Sequence, residues 1–308
     1  MYYWGIDVGG MSIKGGIVSK DGAILYKTVC KVKEDAFYSL SCVAENLNAY
    51  CKHNDIDVNA CGIGVPCIFD NRTGRVSYGN NLDFKGVNLK EWFKTKYNKQ
   101  LYIANDAGAA GLGEYKFGAG KGYKNVVLIT IGTGVGCGII LDGKIIDSSS
   151  SAVGELSHTI IKIGGRKCSC GNKGCLETYC SMTALYKDIR KQMLKDKNSL
   201  LWKYLDVHNI DGKTFFALIN KDETATKIFN EFISYLGVAV LNVANLLRPD
   251  LIIIGGGVSA QGNVVTDPLN DYLDKHLFAR KYTEIIPIVV AKNGNDAGIL
   301  GSASLAIE

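Results

Sequence analysis

Two segments of the chain, far apart in sequence, repeat one order of short apolar strands and glycine-rich turns. GIDVGGMSIKGGIVSKDGAIL begins at Gly5, and LITIGTGVGCGIILDGKII begins at Leu128. In both, an Asp-Gly pair between β-prone runs predicts a hairpin turn, at Asp21-Gly22 and at Asp142-Gly143. We therefore predict an internal duplication: two related α/β domains, each opening with an antiparallel meander of strands.

Glycine turns at strand ends expose backbone N–H groups, which can cradle phosphate oxygens. Neither repeated turn fits a P-loop or a dinucleotide-binding fingerprint. A third glycine turn follows the apolar strand at 251–254, after a segment near 222–247 with helical apolar spacing. Ligands bind at such strand ends in open α/β folds, so this turn is predicted to lie at the adenosine end of a nucleotide. The predicted nucleotide-binding residues are Asp7, Gly9, Gly10, Ser12, Lys14, Gly132, Thr133, Gly134, Gly256 and Gly257.

One histidine and three cysteines form the pattern H-x9-C-x-C-x4-C, at His158, Cys168, Cys170 and Cys175. Three thiolates and an imidazole make a closed tetrahedral zinc set, which predicts a structural metal. The alternative is a loop of free thiols or a disulfide. Carboxylates flank the cluster at Glu155 and Glu177. Held on a rigid loop, they could accept hydrogen bonds from sugar hydroxyls; otherwise they are solvated surface groups.

A short strand ending at Ala104 runs into a helix start rich in small residues, with Asn105-Asp106 at the junction. A hydroxyl that attacks a γ-phosphate needs a carboxylate to accept its proton, and Asp106 is the candidate. The alternative is that Asp106 only caps the helix. Asn80-Asn81 offers amides that could bind hydroxyls, although asparagines in a turn usually serve the turn itself.

The composition is that of a globular protein with room for two domains: 308 residues, 47% hydrophobic and 21% charged. The net charge of +5 is spread along the chain, without the basic and aromatic clustering that binds nucleic acid. No uninterrupted apolar run predicts a membrane span, and the N-terminus lacks the features of a signal peptide. We expect a cytoplasmic protein with reduced thiols.

Together these residues resemble the ROK family (repressors, open reading frames and sugar kinases) of the actin/hexokinase-like superfamily, over nearly the whole chain. The most specific motifs are C-S-C-G-N-K-G-C-L-E from Cys168 to Glu177 and G-E-L-S-H from Gly154 to His158. The resemblance implies two actin-like (ribonuclease H-like) α/β domains around a central cleft, with a zinc-stapled loop. One domain would span 1–118 plus a C-terminal helix at about 295–308, and the other 119–294.

The resemblance also implies an activity: transfer of the γ-phosphoryl group of ATP, with Mg²⁺, to a hexose hydroxyl, usually O6, as in a glucokinase. Asp106 would be the base, and Asp7 would orient Mg²⁺ through water. His158 would bind zinc through one ring nitrogen and face the sugar with the other. The implied assembly is a homodimer. The implied sugar-binding residues are Asn81, Asn105, Glu155, His158 and Glu177.

Three positions depart from the family pattern. Met11 replaces the threonine of D-x-G-G-T, Cys67 replaces the last glycine of G-V-P-G, and Ser157 replaces the glycine of E-x-G-H. They leave N-acetylmannosamine, N-acetylglucosamine and fructose open as substrates. A sugar-sensing repressor would need a winged helix-turn-helix ahead of Asp7, which we do not expect. A catalytically inactive sugar-binding protein is disfavoured because Asp7, Lys14 and Asp106 are all present.

Overall fold

In the computed structural model, which describes residues 1–32, 35–79, 84 and 86–307, each repeated segment folds into consecutive antiparallel strands. The first half of the chain forms β1 Tyr2–Val8, β2 Ser12–Ser19, β3 Ile24–Lys31, α1 Ala36–His53, β4 Ala60–Val65, β5 Cys67–Phe69, β6 Val76–Gly79, α2 Leu89–Tyr97, β7 Gln100–Asn105 and α3 Asp106–Phe117. The second half forms β8 Val126–Ile131, β9 Val135–Leu141, β10 Lys144–Ile145, α4 Glu177–Cys180, α5 Met182–Lys195, α6 Leu201–Tyr204, α7 Gly212–Ala217, α8 Glu223–Leu247, β11 Leu251–Gly255, α9 Asn263–His276, β12 Ile288–Val290 and α10 Ala297–Ser304.

The two five-stranded sheets share one plan. The first has the order β3-β2-β1-β4-β7, in which β1, β2 and β3 are antiparallel and β1, β4 and β7 are parallel. The second has the order β10-β9-β8-β11-β12, with β9 and β10 antiparallel and β11 and β12 parallel. Asp142 and Gly143 both have positive φ, as a two-residue hairpin requires. The predicted α/β class and the meander at the start of each repeat are confirmed.

By internal packing, the chain divides into two units. The first unit is Met1–Leu128, Cys137–Gly154 and Lys292–Glu308, and the second unit is Ile129–Gly136 and Glu155–Ala291. The bounds predicted from the sequence place residues 119–128, 137–154 and 292–294 in the second domain instead. The reason for the difference lies in α3, because the backbone at Gly138 lies directly against Ala107 and β10 packs on the same helix. The domain bounds drawn from the sequence stay a prediction.

In the first unit, α1 packs on β2 and β3, while α10 packs on β1, β4 and α3. The contact of α10 with the sheet depends on two glycines. A Cβ at Gly5 would lie 2.0 Å from the Ile299 carbonyl oxygen, and one at Gly62 would lie 1.7 Å from that of Ser302. Any side chain at these positions would push the helix off the sheet. The predicted C-terminal helix thus forms, and it belongs to the first unit.

The helix α8 is the long amphipathic segment that the sequence predicts. An 18-residue window within it has a mean hydropathy of 1.2, which by length and composition alone would allow it to cross a bilayer. However, 44% of that window is buried inside the protein, and α8 packs against α5 and α9. Its apolar stripe, which includes Phe232, Leu236 and Val240, is therefore accounted for by the core of the second unit.

Candidate active site

In the first unit, three parallel strands present their carboxyl ends at one edge of the sheet. Asp7 pairs in register with Gly64, and Gly64 pairs with Ala104, just before Asn105 and Asp106. Parallel strands lie about 4.8 Å apart, so the start of α3 is about 10 Å from Asp7 across β4. A Cβ at Gly64 would lie 3.3 Å from the Asp106 Cα, so this glycine admits the start of α3. Both predicted carboxylates therefore belong to one edge of the first unit.

The Asp7 carboxylate lies in a space shaped by α10 as well as by its own strand. Its Oδ2 is 3.7 Å from the Lys14 Nζ, and a Cβ at Gly298 would lie 2.4 Å from the Asp7 Cγ. Burial raises the pKa of Asp7, while the charge and hydrogen bond of Lys14 oppose that rise. The turn between β1 and β2 is closed by the Gly9 N–H, which donates to the Ser12 carbonyl oxygen at 3.0 Å. A half-buried carboxylate one strand-end away from a glycine turn suits Mg²⁺, which prefers oxygen ligands.

At the start of α3, the capping role belongs to Asn105. Its Oδ1 accepts hydrogen bonds from the N–H groups of Ala107 and Gly108, at 2.9 and 3.3 Å. Asp106 is the first residue of the helix, where the positive end of the helix dipole favours its charge. The side-chain cap of α3 is therefore made by Asn105, the residue before Asp106.

Cys67, at the start of β5, lies close enough to Asp106 for the carboxylate charge to affect the pKa of its thiol. Burial first, and then the negative charge of Asp106, raise the pKa of the Cys67 thiol to about 12. The side chain is only 4% exposed. The cysteine that replaces a family glycine therefore adds a neutral, buried group beside the candidate base. The second departure, Ser157, is also buried, at 4% exposure, whereas the third, Met11, is exposed.

In the second unit, two of the predicted glycine turns are neighbours. Gly256 has a φ of 75°, and a Cβ there would lie 2.4 Å from the carbonyl oxygen of Ile131, directly before Gly132. Only glycine fits both this conformation and this contact. The Gly132–Gly134 turn and the Gly256-Gly257 turn thus come together at the ends of β8 and β11, as a nucleotide site would require.

The four predicted metal ligands converge. Their donor atoms all lie within 4.8 Å of one another, with the Cys170 and Cys175 sulfurs 3.6 Å apart and the Cys168 sulfur 3.7 Å from the His158 Nδ1. A tetrahedral zinc ion with Zn–S of about 2.3 Å gives S···S edges of about 3.8 Å. Burial, and after it the neighbouring thiols of Cys170 and Cys168, raise the pKa of the Cys175 thiol to about 12, and a bound cation would favour its ionised form. The donor set fits zinc.

The predicted sugar-binding residues of the second unit belong to this cluster or flank it in sequence. The His158 Nε2, on the side of the ring opposite Nδ1, lies 4.0 Å from the Glu155 Oε2. Glu155 is about half exposed, with a side-chain exposure of 49%. Glu177 starts α4 two residues after Cys175, and its Oε2 accepts a hydrogen bond from the Val135 N–H at 3.2 Å. Asn81, also assigned to the sugar, lies outside the described residues.

Two groups of supporting residues were not predicted from the sequence. The loop that carries the four predicted metal ligands, residues 158–175, is called the metal loop. Arg166 lies in this loop, and its guanidinium makes two hydrogen bonds of 2.9 Å to Asp188 and lies over the Tyr179 ring. In the first unit, the fully buried Glu114 accepts hydrogen bonds from three backbone N–H groups, those of Ala119, Lys292 and Asn293. The one available signal for Glu114 was a carboxylate that follows the run of small and apolar residues at 107–113 in α3.

Comparison with known proteins gives a consistent result. A sequence model of the ROK family matches residues 3–308. The glucokinase of Halalkalibacterium halodurans is 33% identical over 313 residues, covering 99% of this chain and 94% of that protein. The crystal structure of a ROK family glucokinase from Streptomyces griseus in complex with glucose and AMPPNP matches with a TM-score of 0.85 at 30% identity, covering 99% of both chains. The xylose repressor of Caldicellulosiruptor bescii is 31% identical over 250 residues, 80% of this chain and 62% of the repressor.

Proposed function

This chain belongs to the ROK family, and on that premise we propose that it is an ATP-dependent hexose kinase that phosphorylates O6 of glucose. Two relatives of at least 30% identity are glucokinases that it matches along nearly its full length. One of them was crystallised with glucose and the ATP analogue AMPPNP, which supports ATP as the phosphoryl donor. The chain's own glycine turns and carboxylates supply the groups that such a reaction needs.

The observation that carries the assignment of the base is the division of roles at the start of α3. Asn105 caps the helix, and Asp106 follows it at the dipole's positive end. In the proposed reaction, the Asp106 carboxylate accepts the O6 proton while O6 bonds to the γ-phosphorus and the bond from that phosphorus to the bridging oxygen of ADP breaks. The Asn105 Nδ2 is left as a donor for a sugar hydroxyl, because Oδ1 serves the cap.

Charge on the transferring group is balanced by backbone N–H groups of the glycine turns and by Lys14. A Mg²⁺ ion bound with ATP would neutralise phosphate charge, and Asp7 would hold it, directly or through water. The zinc site would have a structural role, since four protein ligands leave no open position. The remaining sugar hydroxyls would hydrogen-bond to three side chains: the carboxylates of Glu155 and Glu177 would accept, and the ring of His158 would donate or accept. We further propose a cytoplasmic homodimer that binds neither nucleic acid nor membranes.

The test of the base is Asp106→Asn, compared with Asp57→Asn, a matched change at an exposed aspartate of the same unit. A coupled assay of ADP release should show turnover lowered by about 10²–10⁴-fold in Asp106→Asn only. Glucose binding, measured by calorimetry, should be retained because the substitution keeps the shape of the side chain. An Asp106→Asn enzyme that phosphorylates glucose at nearly the wild-type rate would rule out this base.

A second candidate is the same transfer to N-acetylmannosamine, N-acetylglucosamine or fructose. It is favoured by Cys67, which adds a side chain beside Asp106 at a position where the family pattern has glycine. A panel of these sugars and glucose, ranked by kcat/KM in the same assay, decides between them. Sugar binding without ADP release on any member of the panel would instead indicate a sugar-sensing protein, the class to which the repressor relative belongs by name.

A further inference from the structure

The segment that follows the metal loop touches the Gly132–Gly134 turn in three places. The Glu177 Oε2 accepts from the Val135 N–H at 3.2 Å, at the exit of the turn. The Met182 N–H donates to the Gly132 carbonyl oxygen at 2.9 Å, and the Thr183 hydroxyl donates to the Thr133 carbonyl oxygen at 2.8 Å. The segment thus holds Gly132 and Thr133 through their carbonyl oxygens, while within the turn the Gly134 carbonyl oxygen accepts from the Gly132 N–H at 2.9 Å.

Gly134 also lies directly against the Glu177 side chain. A Cβ at this position would lie 2.6 Å from the Glu177 Oε2, so the carboxylate rests on the face of the glycine. Thr133 itself is exposed and cannot fix the turn by burial. The geometry of the turn therefore depends on the residues that contact it from α4 and α5.

The position of Glu177 is in turn fixed by the metal loop. Leu176 is fully buried and its N–H donates to the Thr159 carbonyl oxygen at 3.0 Å, while the Thr178 hydroxyl donates to the Cys175 carbonyl oxygen at 2.8 Å. Glu177 lies between these two anchored residues, two positions after a proposed zinc ligand. A short, hydrogen-bonded path therefore runs from Cys175 to the turn.

We propose that Glu177 and Thr183 are positioning residues for the nucleotide. Through these two residues, the metal loop would hold the Gly132–Gly134 turn in the conformation that binds phosphate. This inference rests on the proposed ATP site, and it assigns Glu177 a role beyond the sugar contact that the family resemblance implies. One carboxylate would then serve both substrates: Oε2 holds the turn, and Oε1 is the oxygen that a sugar hydroxyl would meet. A turn fixed in advance binds phosphate without the entropic cost of ordering it.

The test measures Mg·ADP binding by calorimetry in the absence of sugar. Glu177→Ala removes the acceptor of the Val135 N–H and should weaken Mg·ADP binding by about tenfold or more, the range for a hydrogen bond to a charged group. Thr183→Val keeps the side-chain shape and removes only the bond to Thr133; it should weaken Mg·ADP binding by about threefold to tenfold. Glucose binding without nucleotide should stay unchanged in Thr183→Val, because that residue is outside the sugar set.

Glu155→Ala is the matched control, since Glu155 is the carboxylate on the other flank of the metal loop. It should weaken glucose binding and leave the Kd of Mg·ADP unchanged. Glu177→Gln keeps an oxygen that can accept from the Val135 N–H, so it should recover most of the nucleotide affinity lost in Glu177→Ala. Cys170→Ser, with zinc loss verified by metal analysis, should weaken Mg·ADP binding as well.

Hydrogen exchange of the 133–135 amides separates this inference from the proposed function. Faster exchange in Thr183→Val and Glu177→Ala supports the positioning role, whether or not the wild-type protein is a kinase. A wild-type protein that binds no Mg·ADP would overturn the nucleotide role and the ATP site together. Wild-type Mg·ADP binding that is unchanged in both variants, with unchanged exchange at the turn, would overturn the inference and leave the kinase proposal standing.

Discussion

We expect Glu114→Ala to destabilise the first unit by about 3–5 kcal/mol, because it removes the acceptor of three backbone N–H groups. The Asn293 N–H donates to Oε1 at 2.7 Å, and the N–H groups of Ala119 and Lys292 donate to Oε2 at 2.9 and 3.1 Å. The side chain is 0% exposed. It joins the end of α3 to the segment where the chain re-enters the first unit at Lys292.

The magnitude follows from the burial of the Glu114 acceptor; among the donor residues, Ala119 and Asn293 are half-buried and Lys292 is exposed. Leaving one buried N–H unpaired costs about 1–3 kcal/mol, so three would cost up to about 9 kcal/mol if the space stayed dry. The alanine leaves room for water, which can pair some of these donors and lowers the expected loss to about 3–5 kcal/mol. Glu114→Gln should fall between wild type and alanine, because glutamine keeps one acceptor oxygen and turns its amide N–H₂ toward the remaining donors.

The assay is thermal unfolding of Glu114→Ala beside Glu45→Ala, a control that removes an exposed glutamate of the same unit. Glu45 is 60% exposed and pairs with Lys96 at 2.7 Å, a contact whose loss costs at most about 1 kcal/mol. The melting temperature should fall by about 10 °C for Glu114→Ala and by about 2 °C for the control. Hydrogen exchange should accelerate at Ala119, Lys292 and Asn293 before it does in β1. Equal melting temperatures for the two variants, with protection retained at those three amides, would refute this reasoning.

Three further predictions follow from the site. Cys170→Ser should lower zinc content and glucose affinity together, as metal analysis and calorimetry would measure; glucose affinity that survives verified zinc loss would contradict the role of the metal loop. Burial raises the pKa of Asp7 above its ordinary value of 3.8, so the native protein binds the Asp7 proton more tightly than the unfolded chain does. The free energy of unfolding therefore falls as the pH rises from 3.8 through the native pKa. Asp7→Asn should therefore raise the melting temperature at pH 7, by a margin that shrinks as the solution is acidified toward pH 4, while Mg·ATP binding weakens; a constant margin would exclude this linkage. Cys67→Gly should change the ratio of kcat/KM between glucose and N-acetylmannosamine by about tenfold without changing KM for ATP, and an unchanged ratio would remove Cys67 from the sugar site.

The features of the fold that depend on patterns of neighbouring residues could be predicted from the sequence. The meanders follow from apolar strands broken by Asp-Gly pairs, and α8 follows from apolar residues at helical spacing. The convergence of His158 with three cysteines follows from their spacing and from glycines that allow tight turns, such as Gly174 at a φ of 87°. The position of Asn105 and Asp106 at a strand–helix junction was predicted in the same way.

Contacts between distant segments could not be predicted. Nothing local to Glu177 indicates that its carboxylate meets the Val135 N–H, which lies 42 residues away in sequence. The bond from Asn293 to Glu114 spans 179 residues, and neither residue has a neighbour pattern that points to the other. Short-range patterns specify periodicity and turn type, whereas the pairing of a buried acceptor with a distant amide depends on how whole elements pack.

The glycine contacts of α10 have a consequence for the order in which the protein matures on the ribosome. The helix completes the packing of β1 and β4 and shapes the space around Asp7, yet it follows the whole second unit in the chain. The apolar face of the first strands therefore stays uncovered until residues 297–304 have left the exit tunnel. We expect nascent chains stalled before that point to recruit chaperones and to lack the native packing around Asp7.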